Sequence, residues 1–281
     1  MTVPSEALAV ATREALANAS GSDVRAAIRG KRWTGLTQGV ARGYVQANLA
    51  VVRKEYADDM KEFCRLNPKP CPLLDMTEPG NPVPKRVAPG GDVRTDLARY
   101  RVYHDGALVE EMDNITRLWR EDHVAFLIGC SLSLDDVLLS ADIPMRHLTM
   151  PGARNAVYIS GVPCMPTGRL HGPMVISMRP IKSHLVEKAI EVTSHFPMAH
   201  GAPLATGEAS ELGIPNLAKT DWGKFDQLAE DETPVYWGCG ITPQSIAMSC
   251  KLPEMITHTA GYMFVTDLLL SDCVDKPAFN L

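Results

Sequence analysis

A run of apolar residues followed by a glycine–cysteine turn and a possible helix start marks residues 234–244. The apolar and aromatic start predicts a buried strand, Gly-Cys-Gly predicts a tight turn, and Thr242-Pro243 is typical of the cap and first residue of a helix. Such a turn points backbone N–H groups and a helix N-terminus at one spot, which favours an anion or a developing oxyanion. Here the spot also carries the thiol of Cys239.

A second stretch repeats this plan. Residues 123–128 are strand-like, Gly129-Cys130-Ser131 forms a turn, and Ser133 with Asp136 can open a helix. Because sites in α/β sheets lie at strand ends, we predict that the turns at Cys130 and Cys239 share one cleft. The alternative is that both cysteines are small buried packing residues.

The remaining pattern alternates between helices and strands. Residues 34–48 carry a glycine every four positions, which predicts a closely packed helix, since neither GxGxxG nor GxxxxGK[ST] is present. Residues 100–103 and 107–111 flank His104-Asp105-Gly106, a hairpin signal. We further predict helices at 5–30, 55–64 and 183–194, strands at 146–148, 156–160 and 173–178, and a last unit at 256–270.

Strands and helices at both ends of the chain, with shorter strands between them, predict an α/β core interrupted by an α+β insertion. We place the discontinuous core domain at residues 1–112 and 203–281, and the inserted α+β domain at residues 113–202.

Composition places the chain among ordinary globular proteins. Its 281 residues are 45% hydrophobic and 22% charged, with a net charge of -5 and no basic stripe for nucleic acid. Residues 1–18 lack the pattern of a secretory signal, and the longest uncharged apolar run, 124–134, is short for a bilayer span, so we expect a cytoplasmic location and no membrane partner. Seven irregularly spaced cysteines argue against a disulfide framework or structural zinc.

Several polar groups could carry chemistry. In residues 91–101, Arg94 with the neighbouring Asp96 could clamp a substrate carboxylate, although a solvated ion-pair surface explains the same pattern. Arg179 directly follows an apolar strand, where a guanidinium needs an anion. His200 and His258 each lie beside small residues in a turn and could act as acid or base, oriented by Asp267, or could be structural.

The chain resembles the D-glutamate cyclase-like family of hydro-lyases over nearly its whole length. The motifs that carry this resemblance are Ile28-Arg29, Gly35-Leu36-Thr37-Gln38-Gly39, Gln46-Ala47-Asn48-Leu49, Phe63-Cys64, Asn67-Pro68-Lys69-Pro70-Cys71-Pro72, residues 92–103, residues 126–131, Ser177-Met178-Arg179-Pro180, His200-Gly201-Ala202-Pro203, residues 237–244 and Thr257-His258.

The resemblance implies a three-layer α/β domain carrying a smaller α+β domain, and a carbon–oxygen lyase that dehydrates or cyclises a small acidic amino acid or carboxylate. No metal or organic cofactor is implied. Such chemistry needs an arginine for the α-carboxylate, a base for the amine and donors for an oxyanion. The expected residues are Arg179 or Arg94, His200 or His258, and the turns at Cys130 and Cys239, with Asp96, Ser131, Thr242 and Gln244 completing the substrate-binding set.

Three positions depart from the family pattern, which has histidines where this chain has Ala205 and Tyr262 and a glutamate where it has Asp135. We therefore expect an altered substrate and poor cyclisation of D-glutamate. Two other functions fit the same motifs. One is a lactam or small-amide hydrolase with a cysteine nucleophile, and the other is a metabolite-binding protein without turnover. We also expect a homo-oligomer.

Overall fold

The computed structural model describes residues 10–149 and 154–278. The helices are α1 (Arg13–Ala17), α2 (Gly21–Arg29), α3 (Ala57–Leu66), α4 (Leu134–Ser140), α5 (Arg146–Thr149), α6 (Val186–Ser194) and α7 (Thr242–Ser249). The strands are β1 (Tyr44–Arg53), β2 (Leu73–Met76), β3 (Tyr100–His104), β4 (Ala107–Met112), β5 (His123–Gly129), β6 (Ala156–Pro163), β7 (Pro173–Lys182), β8 (Ala205–Thr206), β9 (Glu232–Gly238), β10 (Met255–His258) and β11 (Phe264–Leu269).

A seven-stranded sheet has the order β2-β5-β1-β10-β3-β4, with β11 also paired to β1. The long strand β1 changes partner along its length. Its first half pairs with β11, up to Ala47 opposite Phe264, and its second half pairs with β10, from Ala50 opposite Thr257. Asn48 and Leu49 therefore lie where β1 passes from one neighbour to the other, so their backbone groups on that side need another partner.

A second sheet has the order β6-β7-β9-β8. In the described residues all strand pairings of both sheets are antiparallel, so the fold is a mixture of helices and antiparallel sheets of the α+β type. The α/β prediction rested on strands and helices that alternate at both ends of the chain, and the buried apolar strands among them are also typical of parallel sheets. Strand β5 shows why this failed: Phe126 packs in one core cluster and Leu127 in another, so an antiparallel strand is buried on both faces.

Many predicted elements are confirmed, including α3, the β3–β4 hairpin, β5, β7, α6 and β9. The helix predicted at 34–48 is wrong: Gly39 and Gly43 have φ of 73° and 82° in a loop, and β1 begins at Tyr44. Residues 146–148 belong to helix α5 rather than a strand, and 256–270 contains two strands. Helix α7 begins at Thr242 with Ile241 as its cap. Residues 5–9 of the helix predicted at 5–30 lie outside the described residues, and the remainder forms α1 and α2.

The sheets do not follow the predicted domain boundaries. Strand β5, within 113–202, lies between β2 and β1 in the seven-stranded sheet, while β9, within 203–281, pairs with β7 in the other sheet. The division into a core at 1–112 and 203–281 and an insertion at 113–202 stays a prediction to which the strand pairing gives no support.

Candidate active site

The two glycine–cysteine turns meet, as the sequence predicted. A Cβ atom added to Gly240 would lie 2.9 Å from the Gly129 carbonyl oxygen and 2.0 Å from Asn48 Nδ2. One added to Gly129 would lie 1.7 Å from the Met198 carbonyl oxygen. Because a side chain cannot be accommodated at such distances, the glycines are what allow the end of β5, the end of β9 and strand β1 to approach one another.

A cleft of about 400 Å³ opens at this junction, and we call it the central cleft. Cys130 and Ser131 line it from the first turn, Cys239 lines it from the second, and His258 lines it from the end of β10. The other polar lining residues are Gln38, Asn48, Arg99, Arg101, Glu111, Arg154, Asn155, Ser177, Thr259 and Tyr262. Four of the ten residues predicted to form the site therefore share one cavity.

His258 is held where β1 changes partner. Its Nδ1 atom lies 3.2 Å from the Leu49 backbone nitrogen and, less closely, 3.4 Å from the Leu49 carbonyl oxygen. A backbone N–H can only donate, so the shorter contact leaves the proton of a neutral ring on Nε2. Burial lowers the pKa of His258 to about 4, which keeps the ring neutral at pH 7. Nε2 has no partner in the described residues and is closed off from solvent, so His258 holds a spare hydrogen-bond donor in the cleft wall rather than a base.

The charge of the central cleft favours anions. Arg99, Arg101 and Arg154 line it, and Glu111 is the one carboxylate among its described lining residues. Arg101 donates to Glu111 over 2.7 Å, and the Arg99 guanidinium lies 5.4 Å from the centre of the Tyr262 ring. Three guanidiniums against one carboxylate suit a ligand with more than one negative charge.

Asn48 offers an acceptor in the same cleft. Its Nδ2 atom donates to the carbonyl oxygens of Ile128, at 3.2 Å, and Gly129, at 3.0 Å, which fixes the orientation of the amide. Its Oδ1 atom makes no hydrogen bond within the described residues and is not among the fully enclosed polar atoms. Since Asn48 lines the cleft, Oδ1 is available to a ligand donor such as an ammonium group.

Both cleft thiols are held in their protonated form. Burial, with Cys239 nearby, raises the pKa of Cys130 to about 12. Burial likewise raises the pKa of Cys239 to about 11. Because the thiolate is the nucleophile, this environment disfavours covalent catalysis by either cysteine.

Arg179 lies behind the cleft wall rather than in the cleft. It is fully buried, and its guanidinium donates to Asp135 Oδ1, at 3.0 Å from Nη2, and to the Ser131 carbonyl oxygen at 2.8 Å. These partners occupy the fork that was expected to bind a substrate carboxylate, so this placement does not favour that role.

The other predicted residues also bind within the protein. Thr242 donates to the Cys239 carbonyl oxygen, and Gln244 contacts the hydroxyls of Tyr103 and Thr257. Arg94 forms a forked pair with Asp92, and Asp96 forms one with Arg29. Asp267 pairs with Arg25, at 2.9 Å, instead of orienting a histidine. In the part of the chain that the structure describes, none of these residues lines the central cleft.

His200 lines a second cavity of about 530 Å³. Its Nδ1 atom lies 2.7 Å from the Lys69 carbonyl oxygen, and burial lowers the pKa of His200 to about 4. This cavity is larger than the central cleft, and three of its charged residues are paired within the protein: Lys69 donates to the carbonyl oxygens of His200 and Ala202, and Arg65 forms a forked pair with Glu62. The catalytic role of His200 stays a prediction.

Within residues 91–101 the sequence singled out Arg94, whereas the arginines that line the central cleft are Arg99 and Arg101. Arg99, just before β3, and Arg101, within it, alternate with the buried residues Tyr100 and Val102, which is the period of two expected for one face of an extended chain. Strand β3 pairs with β10, with Arg101 opposite Thr257 and Tyr100 opposite His258, which brings Arg101 to the end of β10 that carries the histidine. The signal was present in the sequence, but pairing with a distant strand was needed to interpret it.

In residues 10–149 and 154–278, no cluster of three or more His, Cys, Asp or Glu residues could hold a metal ion. Across the same residues, no helix has the length and apolarity needed to cross a membrane.

A family model and the sequences of related proteins point to the same family. A family model described as D-glutamate cyclase matches residues 124–267. A "Putative hydro-lyase" from Stutzerimonas stutzeri is 49% identical over 249 residues, covering 89% of this chain and 94% of that protein. The "Putative hydro-lyase YcsI" from Bacillus subtilis is 46% identical and covers 88% of this chain and 95% of its own length.

Among solved structures, a nitrogen repressor-like protein from Methanococcus jannaschii aligns over 84% of this chain and 90% of that protein. Its TM-score of 0.37 and sequence identity of 14% are too low for any argument about fold or function.

Proposed function

We propose that this chain, which belongs to the D-glutamate cyclase family, removes water from a small acidic amino acid, with the central cleft as its active site. The observation that carries this proposal is the Nε2–H group of His258, a buried donor without a partner in the described residues, on a side chain that lines the same cleft as three arginines. A neutral donor fixed in place before the reaction is what stabilisation of an oxyanion requires.

The cleft offers complementary groups for such a substrate. Arg99, Arg101 and Arg154 provide the positive charge that two carboxylates need, and Oδ1 of Asn48 can accept from an ammonium group. The small side chains of the turns at Cys130 and Cys239 leave space for the substrate next to the backbone of these turns. An amino acid with a second carboxylate fits this set better than a neutral metabolite does.

The reaction closes a lactam. The amine nitrogen attacks the side-chain carboxyl carbon, and the new oxyanion receives hydrogen bonds from His258 Nε2–H and from the backbone N–H of Ser131 at the first turn. Glu111, the carboxylate at the cleft, takes a proton from the ammonium group and returns it to the departing oxygen. The C–N bond forms and one C–O bond breaks. Two of the three ammonium protons pass through Glu111 to the departing oxygen, which leaves as water, and the third proton stays on the lactam nitrogen.

The hydrolase with a cysteine nucleophile is less well supported, because both thiols have raised pKa values. The same donors serve the opening of a lactam by water, which is the reverse reaction and needs no thiolate. Alkylation with iodoacetamide separates these readings. Modification of a nucleophile abolishes activity, whereas modification of a protonated wall residue reduces it only in part.

Mass spectrometry tests the proposed reaction. The protein is incubated separately with small acidic amino acids of both configurations, with hydroxy acids and with glutarate, which has two carboxylates but no amine. We expect a product lighter by one water from an amino acid and none from glutarate. Binding of these ligands without any product would support a metabolite-binding protein instead.

A further inference from the structure

A buried polar chain leads from helix α5 to the wall of the central cleft. His147 Nε2 lies 2.8 Å from Asp135 Oδ2, and Asp135 Oδ1 accepts from both Nε and Nη2 of Arg179, at 3.2 and 3.0 Å. Nη2 of Arg179 also donates to the Ser131 carbonyl oxygen, at 2.8 Å. Each link is a side chain almost fully removed from water, where such interactions are strong and mispairing is costly.

The hydrogen bond from Arg179 to the Ser131 carbonyl oxygen affects the surroundings of Cys130. The peptide group between Ser131 and Leu132 presents its carbonyl oxygen to Arg179 and its N–H to the Cys130 sulfur, 3.5 Å from the Leu132 nitrogen. A peptide group is planar, so fixing the carbonyl also fixes the direction of the N–H. Arg179 thus determines which donor the Cys130 sulfur meets.

Arg179 also contacts the strand that carries the other thiol. Its guanidinium lies 5.4 Å from the centre of the Trp237 ring, and Trp237 precedes Gly238 and Cys239 at the end of β9. The Arg179 guanidinium therefore contacts residues next to both cysteines, Ser131 at the first turn and Trp237 before the second, although it does not line the cleft.

We propose that Arg179 is a positioning residue, which orients the Ser131–Leu132 peptide and thereby holds the Cys130 thiol in the wall of the central cleft, with Asp135 and His147 fixing the arginine from behind. The importance of this arrangement for turnover rests on the proposed function. The arrangement itself does not, because it can be measured on the thiol.

The charged and titratable groups that face Cys130 act in opposite directions. Burial and Cys239 raise the pKa of Cys130, the Leu132 N–H and Arg179 lower it, and Asp135 raises it. Neutralising Arg179 should therefore make the Cys130 thiolate scarcer, while neutralising Asp135 should make it more abundant. A merely structural role predicts the same sign for both substitutions, since loosening the wall exposes the thiol in either case.

The test is the rate of iodoacetamide alkylation of Cys130, resolved by peptide mass spectrometry between pH 7 and 9.5. We expect Arg179→Met to slow it about tenfold, Asp135→Asn to speed it about tenfold, and Arg179→Lys, which keeps the charge, to stay within about threefold of the unmodified protein. Cys250, half-buried and bonded to the His171 carbonyl oxygen, is the internal control, and its rate should not change.

Faster alkylation of Cys130 in both Arg179→Met and Asp135→Asn would overturn the proposal, as would no change in either. If Arg179→Met does not fold, Arg179→Gln, which is also neutral but keeps a hydrogen-bond donor, replaces it with the same expected slowing. A slower or unchanged rate in Asp135→Asn, or an Arg179→Lys rate that departs from the unmodified protein by tenfold, contradicts the positioning role. Because alkylation needs no substrate, these outcomes are independent of whether the protein removes water from an amino acid.

Discussion

His258 and Leu49 are joined by a hydrogen bond from the Leu49 backbone N–H to the Nδ1 atom of the imidazole, over 3.2 Å. It forms where β1 leaves β11 for β10, so the histidine ring replaces the strand that would otherwise have accepted this N–H. The same bond that completes the sheet also sets the tautomer of the ring. A structural need thereby produces a neutral donor at the end of a strand.

The tautomer of His258 can be observed directly. We expect the ¹⁵N shifts of its ring to show a proton on Nε2 and a bare Nδ1 at pH 7, with no titration above about pH 5, because its pKa is lowered to about 4. Substitution of the exposed His184 identifies one competing signal without affecting that of His258. A proton on Nδ1, or a midpoint near 6.5, would contradict the assignment.

Stability should fall as the solution becomes acidic. His200 and His258 both have pKa values lowered to about 4, so between about pH 6.5 and 4 the unfolded chain binds more protons than the folded one. The contribution of these two histidines to the free energy of unfolding is fully present above pH 6.5 and is lost as the pH falls from 6.5 to 4. Denaturant unfolding at pH 7 and pH 5 should differ by up to about 2 kcal/mol for each histidine. His258→Asn should remove about half of that difference, and equal stability at the two pH values would refute the prediction.

Arg101 should bind substrate directly. Arg101→Gln removes a partly buried cleft cation, and we expect an increase of about 10- to 100-fold in KM for the acidic substrate, the usual effect of losing a charge-assisted hydrogen bond. Arg117→Gln is the matched control, because Arg117 pairs with Glu110 and does not line the cleft. Equal effects of the two substitutions would remove Arg101 from the site.

We predict slow cyclisation of D-glutamate by this protein. Of the three departures from the family pattern, Tyr262 lines the central cleft, while Ala205 lies in β8 and Asp135 is paired with Arg179 and His147. Tyr262→His should therefore raise D-glutamate turnover at least tenfold, and Ala205→His should not. Turnover near the typical enzyme rate of about 10 s⁻¹ in the unmodified protein would show the departures to be harmless.

Local patterns predicted the turns and most of the elements. The Gly-Cys motifs at 129–130 and 238–240 are constrained by contacts that leave no room for a Cβ atom, so their sequence directly reflects their geometry. The hairpin at β3 and β4 and the helix α3 depend mainly on neighbouring residues, and the sequence predicted both.

What failed depended on partners far along the chain. Strand β5 is buried on both faces because separate core clusters cover it, which a single sequence does not distinguish from a parallel strand. Arg179 lies within β7, which continues to Lys182, rather than after the end of the strand, and its anion is Asp135 of this chain, 44 residues earlier. The sequence indicated Asn48 only as part of a motif, because the orientation of its side-chain amide depends on carbonyl groups at the end of β5.

The most direct test of the account is the steady-state rate of water loss from the best acidic amino acid, compared between the unmodified protein and His258→Asn. Asparagine is shorter than histidine and has no atom at the position of Nε2, so the substitution removes this donor. We expect kcat to fall by about 10² to 10³ with a much smaller change in KM, as for other oxyanion donors. His184→Asn, on the exposed surface, should keep full activity. Full activity of folded His258→Asn would contradict the claim that the central cleft stabilises an oxyanion through His258.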